Sequence, residues 1–307
     1  MAARILAVLA ALGMIVGAFV YRYGLPGGED GGGGTGGSGE AAGAIFCALE
    51  LGAVCDAIDG AKVEPAATTA ATLIATRSAA SAGIRGWVAP GPWAAMVDEG
   101  RKLGSKATLF ARTQPLATTA LVAVARKGQF PAGCAPPTWR CIGDAAQDPG
   151  FRLGGDPLTS PTGLFSRAAA LGGFFGRSNF ATNDLDEQPD ARPWLDNLNN
   201  RLAAAGGFGA GSLGSFVLQQ GSARIYLTTA AAAKTANLDG NAQFDVIAPT
   251  APAGITAGFT PTASSGGRID DARVGQALRV AGWSAVGPGA KDDGLPSPGV
   301  LLALLEG

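Results

Sequence analysis

Thr159, Ser160 and Thr162 stand against Pro161 and Gly163 in the stretch DPLTSPTGLFSRAAALGG, residues 156–173. Hydroxyls and backbone N–H groups are neutral donors, and binding rather than covalent chemistry is what they do best without a base beside them. Leu164, Phe165, Ala168 and Leu171 recur behind them at helical spacing. The polar loop therefore caps and enters an amphipathic helix. Such a helix start leaves backbone N–H groups free and carries partial positive charge, so it can hold an anion or a polar ligand. The plainer reading is a cap that serves only its own helix. Several similar loops in order along the chain favour the first.

The rest of the composition removes alternatives. The chain has no His, which excludes imidazole acid–base catalysis and His metal ligands. Ser166 and Ser215 thus lack a histidine base, and Ser–Lys chemistry would need Lys234 or another lysine beside them. Asp184, Asp186, Glu187 and Asp190 lack the Gly and terminal Glu of a calcium loop and read as a solvated loop. The Gly-rich run 206–214 lacks the Lys-Ser/Thr ending of a phosphate loop and reads as a flexible loop. Lys and Arg number 23 against 24 Asp and Glu, a net charge of −1, which argues against a non-specific nucleic-acid binder. The four Cys fall into two local pairs, Cys47 with Cys55 and Cys134 with Cys141. Neither spacing is that of a zinc knuckle; disulfides are expected, with buried free thiols as the alternative.

These residues need elements to position them. The apolar run 5–21 follows Arg4 and reads as an uncleaved membrane anchor over 1–23, with a cleaved signal segment as the alternative. Residues 24–40, nearly all Gly, form a flexible tether. Strand-like and helix-like pieces then alternate: strand 44–46, helix 49–58, strand 61–64, helix 70–80, strand 86–89, helix 93–101. Such alternation implies a parallel sheet covered by helices, with ligands beyond the carboxyl ends of the strands. That singles out the loops 47–49, 67–69 and 90–93. Trp93, behind Pro90, Gly91 and Pro92, is kept as a candidate ligand contact, whereas Trp139, Trp194 and Trp283 read as packing anchors. Extended runs at 109–113 and 116–126 follow, and 113–124 is read as a crossing from one lobe to another. Strands are expected at 151–154, 223–227 and 244–248, and helices at 139–146, 193–202, 230–236, 271–281 and 298–305.

Four pieces in this order resemble a known family: KVEPAATTAATLIA (62–75), GWVAPGPWAAMVDEG (86–100), GDPLTSPTGLFSRAAALG (155–172) and SARIYLTTAAAA (222–233). Together they resemble the type II periplasmic solute-binding proteins, particularly the molybdate-type substrate-binding proteins of ABC transporters, over about residues 44–305. The resemblance implies an α/β fold of two lobes, each a mostly parallel sheet covered by helices, joined by two crossing hinge segments. Lobe one would be 41–114 plus 249–307, and lobe two 115–248. It implies a ligand set of Thr68 or Thr69, Pro92, Trp93, Ser160, Thr162, Gly163, Tyr226 and Thr228, with Thr162 presenting its backbone to the ligand. The first loop departs from the pattern: Ala48-Leu49 stands where the molybdate-type proteins carry Ser. Losing a hydroxyl donor to a buried oxyanion costs a few kcal/mol, which argues against molybdate itself.

The function so implied is that of a membrane-tethered extracytoplasmic protein. It captures a small solute, an oxyanion among the candidates, and presents it to an ABC-type permease. It would be a monomer without cofactor, metal or enzymatic activity. The competing expectation is a sensory or structural module of the envelope that uses the same fold to bind a protein partner.

Overall fold

A computed structural model describes residues 43–206, 213–218, 223–264, 266–287 and 294–306. The expected anchor (1–23) and tether (24–40), and most of the Gly-rich run at 206–214, lie outside the described residues.

In chain order the elements are β1 (Ala44–Ala48), a 3-10 segment (Leu49–Ala57), β2 (Lys62–Glu64), α1 (Ala66–Ala75), α2 (Ala79–Ala82), β3 (Ile84–Pro90), α3 (Trp93–Leu103), β4 (Gln114–Arg126), α4 (Trp139–Ala145), β5 (Leu153–Gly155), α5 (Pro161–Phe175), α6 (Thr182–Glu187), α7 (Ala191–Gly206), α8 (Leu213–Leu218), β6 (Ile225–Thr229), α9 (Ala230–Thr235), β7 (Phe244–Ile247), β8 (Gly254–Pro261), α10 (Asp271–Val280), β9 (Ser284–Ala285) and α11 (Pro298–Glu306). Most of the expected elements form within a few residues of their expected bounds. The helix expected over 70–80 does not form as one. Pro65 places its start at Ala66, and the chain breaks at Thr76 before Ser78 caps the short α2 through reciprocal bonds with Ser81. The acidic stretch expected as a loop is the short helix α6, whose Asp184 carboxylate accepts the Ala181 N–H at 2.7 Å. β8 has no counterpart in the sequence reading, because its GITAGFTP lacks an apolar run; it is nonetheless buried from Ile255 to Thr260.

The strands lie in the order β2-β1-β3-β8-β4-β6-β5, with β7 and β9 also on β4. β1 pairs in parallel with β2 and β3, and β5 with β6. The joins between these parallel parts are antiparallel, β3 to β8, β8 to β4 and β4 to β6. The 13 residues of β4 make that join possible. Its first part, from Gln114 to Ala120, pairs with β8. From Leu121 onward it pairs with β6, and from Ala123 with β7 as well. Side chains alternate along this inner half: Leu121, Ala123 and Ala125 enter the large core, whereas Val122 and Val124 enter a smaller one with Phe216, Tyr226 and Phe244. The run read as a lobe crossing (113–124) is therefore mostly paired strand.

Both expected cysteine pairs are bonded, Cys47 to Cys55 and Cys134 to Cys141, each with Cα atoms 5.7 Å apart. One buried charge anchors the first half of the fold. Arg101 of α3 is 1% exposed and gives its guanidinium to four carbonyls: Leu73 at 2.8 Å, Thr76 at 2.7 Å, Arg77 at 3.1 Å and Ala107 at 2.8 Å. The Leu73 and Thr76 carbonyls are among those that the end of α1 leaves open, so Arg101 closes that helix from outside and ties it to the segment after α3 through Ala107. Replacing it with Met strands several buried acceptors. We expect Arg101→Met to lose about 3 kcal/mol or more in urea unfolding, and Arg101→Lys to lose less because it retains a donor. Equal stability of Arg101→Met and the parent would remove this role.

Candidate functional site

The carboxyl ends of the parallel strands meet across a cleft of about 530 Å³. Glu50 and Leu51 reach it from the 3-10 segment after β1, Asp156, Ser160 and Thr162 from the turn between β5 and α5, and Thr228 and Thr229 from the end of β6. Ile255 of β8 and the Trp283 ring supply apolar wall.

Two carboxylates dominate its polar surface. Asp156 accepts the Tyr226 hydroxyl at 2.6 Å and a bond from the Thr162 side chain. Burial raises its pKa above the ordinary carboxylate value; the bonds from Tyr226 and Thr162 and the charge of Arg167 oppose that rise. Arg167 comes from α5, where Nη1 donates to the carbonyls of Asp156 at 3.1 Å and Gly163 at 2.8 Å, and Nε to Asn199 at 2.9 Å. Burial lowers the Arg167 pKa to about 10 against the pull of Asp156. Burial, and then the neighbouring Asp156 charge, push the Tyr226 phenol upward. Glu50 leaves much of its side chain open to solvent, but its carboxylate turns inward and accepts the Ala66 N–H through both oxygens, at 3.2 and 3.1 Å. Its pKa is also raised, first by burial, with a smaller contribution from the Asp156 charge.

The chain's own groups accept some of the N–H groups at the helix starts around the cleft. At α1, Glu50 accepts the Ala66 N–H. Ser160 caps α5 by accepting the Gly163 N–H at 3.0 Å, and its own hydroxyl donates to Pro157 O at 2.9 Å. At α9, Thr229 accepts the Ala232 N–H at 3.1 Å and Thr119 the Ala231 N–H at 3.0 Å. Thr228 differs. It is 2% exposed, lines the cleft, and its hydroxyl has no partner among the described residues.

The residues singled out from sequence divide accordingly. Ser160, Thr162 and Thr228 line the cleft together. Tyr226 stands behind them and reaches Asp156. Gly163 packs so closely that a Cβ there would lie 1.9 Å from Pro157 O, which lets the α5 start close onto the Asp156 turn. Thr68 is exposed outside the cleft lining, and the buried Thr69 donates to Glu64 at 3.4 Å. Pro92 and Trp93 do not line the cleft. Trp93 is wholly buried with its ring centroid 6.3 Å from that of Phe165, and Gly91, at φ 74°, leaves room for the same Phe165 ring. Trp283, read from sequence as a packing anchor, faces the cleft instead. The sequence reading did not single out Glu50 or Arg167, and it counted Asp156 only as part of a loop. Among the described residues, no three His, Cys, Asp or Glu side chains cluster closely enough to hold a metal.

No family model matches the chain, and no curated protein matches it. Solved structures do. Iron-bound HitA from Pseudomonas aeruginosa is 13% identical, matching 86% of this chain and 98% of its own, with a TM-score of 0.52. The fold is that of the two-lobed type II periplasmic binding proteins. Apo FutA2 from Synechocystis PCC6803 matches 85% of this chain and 94% of its own at 12% identity and a TM-score of 0.49. A periplasmic thiamin binding protein matches 85% and 92% at 12% identity and 0.48. None of these likenesses singles out the molybdate-type branch.

The raised carboxyls make a signed prediction. The folded protein keeps protons on Asp156 and Glu50 that the unfolded chain releases near the ordinary values of 3.8 and 4.5. Their contribution to stability is present below those values and is lost as pH rises through the raised ones. Asp156→Asn keeps an acceptor for Tyr226 but removes the titration. Its urea midpoint should therefore fall less steeply than the parent's as pH rises from the ordinary value of 3.8 through the raised one. Parallel curves would show that Asp156 does not carry this linkage.

Proposed function

We propose that this protein is an extracytoplasmic solute-binding protein that captures a small, donor-rich or cationic solute in the Glu50–Asp156 cleft and delivers it to an ABC-type transporter. The observation that carries the reading is the charge and donor balance of the cleft. Two carboxylates line it, no Lys or Arg does among the described residues, and the chain's own oxygens already accept the Ala66, Gly163, Ala231 and Ala232 N–H groups at its helix starts. What remains open is acceptor capacity on Glu50 and Asp156, the Thr228 hydroxyl and the face of Trp283. An ammonium group uses all three kinds of contact: charge-assisted bonds to carboxylates, a bond to the hydroxyl and an attraction to the ring. An oxyanion, the candidate raised by the sequence, would meet two carboxylates and displace Glu50 from Ala66.

The fold supports capture by closure of two lobes, taken here as 41–114 with 249–307 and 115–248. Closure is driven only by the contacts a solute gains in the closed state. Two disulfides support an oxidising compartment outside the cytoplasm. The apolar run 5–21 supports a tether to the membrane where a permease would sit. Among the described residues no helix is long and apolar enough to cross a membrane. The protein acts by binding and needs no catalytic group, and a monomer suffices.

The test is thermal unfolding of the full chain against amines, polyamines, amino acids, sugars and tetrahedral oxyanions. A solute at about 100 times its dissociation constant stabilises by roughly 2.7 kcal/mol. We expect the shift with an amine-bearing solute. It should be abolished by Asp156→Asn together with Glu50→Gln, and weakened by Thr228→Val. Affinity should be present above the raised carboxyl pKa values and lost as pH falls through them, because protonation removes the countercharge. A shift with oxyanions alone would overturn the cationic reading and leave solute binding standing. A flat response across the panel would overturn solute binding and favour a protein-binding envelope module.

A further inference from the structure

One backbone donor in the cleft lining stands apart from the helix-start groups already accepted by the chain. α5 begins at Pro161, which has no N–H. The next N–H groups but one are spent: Gly163 donates to the Ser160 hydroxyl at 3.0 Å and Leu164 to the Ser160 carbonyl at 2.9 Å. Between them, Thr162 N–H meets no acceptor among the described residues, and Thr162 lines the cleft. Its side chain is turned to the Asp156 carboxylate. α5 runs for 15 residues, long enough for aligned peptide dipoles to leave partial positive charge at this end.

A second, independent observation comes from β6. Tyr226 and Thr228 are two residues apart on that strand, so their side chains leave it on one face, about 7 Å from each other. The Tyr226 hydroxyl reaches Asp156 at 2.6 Å, in the turn that leads into α5, and Thr228 lines the cleft beside the same turn. Thr228 is 2% exposed, and its hydroxyl has no partner among the described residues. The hydroxyls around it are spent, that of Thr229 on the Ala232 N–H and that of Thr162 on Asp156. A buried hydroxyl without a bond costs stability unless a bound group completes it. The lining thus has two poles. Glu50 and Asp156 give acceptor charge, of which Arg167 offsets the Asp156 part; Thr162 N–H and the Thr228 hydroxyl give donors at a positive helix end.

We propose that the solute of this cleft is an amino-acid-type zwitterion, its carboxylate on the Thr162 N–H and the Thr228 hydroxyl and its ammonium at the two carboxylates. This rests on solute capture in the Glu50–Asp156 cleft and names the class of solute. A helix start favours a negatively charged acceptor, and hydrogen bonds to an ionised group are about twice as strong as those between neutral ones. A plain amine leaves both donors unmet once the cleft closes. A plain carboxylate leaves Glu50 without a countercharge. A zwitterion does neither. The cleft of about 530 Å³ has room for a side chain beyond the two charged groups, against Ile255 and Trp283.

The experiment uses the full chain and matched probes: alanine, leucine, phenylalanine and lysine, each beside its carboxamide and its decarboxylated amine. Calorimetry and thermal unfolding give the affinities. We expect at least one amino acid to bind about tenfold or more tightly than both its amide and its amine. Thr228→Val should remove most of that preference, lowering affinity for the amino acid about tenfold and for the amine by less. Thr228→Ser keeps the hydroxyl and should keep the preference. The comparison of probes on the parent protein decides the matter even where Thr228→Val does not fold. If amines or amides bind as tightly as the amino acids, the zwitterion is overturned and capture of a cationic solute stands. If Thr228→Val keeps the parent's preference in full, the placement of the carboxylate is overturned. If neither these probes nor polyamines bind, this proposal and the cationic reading of the cleft fall together.

Discussion

β4 has to satisfy two sets of partners with one backbone. Its first half pairs with β8, and its second half with β6 on one edge and β7 on the other. The switch falls at Leu121, whose N–H donates to Ala253 O at 2.8 Å where β8 is about to begin. A strand of ordinary length could not do this, because each partner needs about five residues to pair stably. The cleft follows from the same constraint. β6 pairs with β4 near its end, which sets where Thr228 and Thr229 emerge, and β5 then takes its register from β6 and sets where Asp156 emerges. Ile255 arrives on β8 from the other part of the sheet.

Within that frame the chain supplies its own anion. Helix starts at the carboxyl ends of strands are natural oxyanion sites because their N–H groups point outward unpaired. Here Glu50 sits on the Ala66 N–H, while Ser160, Thr119 and Thr229 accept the Gly163, Ala231 and Ala232 N–H groups at the starts of α5 and α9. The loop that lacks the expected hydroxyl at Ala48-Leu49 therefore does more than omit a donor. One residue on, it brings the Glu50 carboxylate, which accepts the Ala66 N–H that would otherwise face the cleft as a donor. Backbone geometry of a kind that suits an anion and charge suited to a cation can coexist, because the first comes from helix starts and the second from the Glu50 and Asp156 side chains.

The sequence carried the order of elements and the hydroxyl-rich turn of α5, because apolar periodicity and capping residues are local signals. It also carried the cysteine pairing, since seven and eight residues separate the partners. It did not carry β8, whose Gly, Thr and Pro mask a buried strand, nor the role of Glu50, which depends on a helix start 16 residues away. Thr69 looked like a ligand because it follows a strand, yet the turn of α1 points it at Glu64. The exchange between Trp93 and Trp283 has the same cause. Both are tryptophans near loops, and only packing against Phe165 decides which one is sealed in.

A net charge of −1 conceals this arrangement. Averaged over the chain the charges nearly cancel, but β6 separates them, with Arg224 and its neighbours before one end and the two carboxylates beyond the other. Register converts scattered single residues into this polarity: Arg126, Arg152 and Arg224 are dozens of positions apart and adjacent in space only because β4 and β5 flank β6. A field oriented along one strand acts on a charged solute beyond the cleft as well as within it, drawing cations toward the acidic end and anions toward the basic one. At the acidic end burial raises the pKa of both carboxyls, and the Asp156 charge adds a smaller rise to that of Glu50.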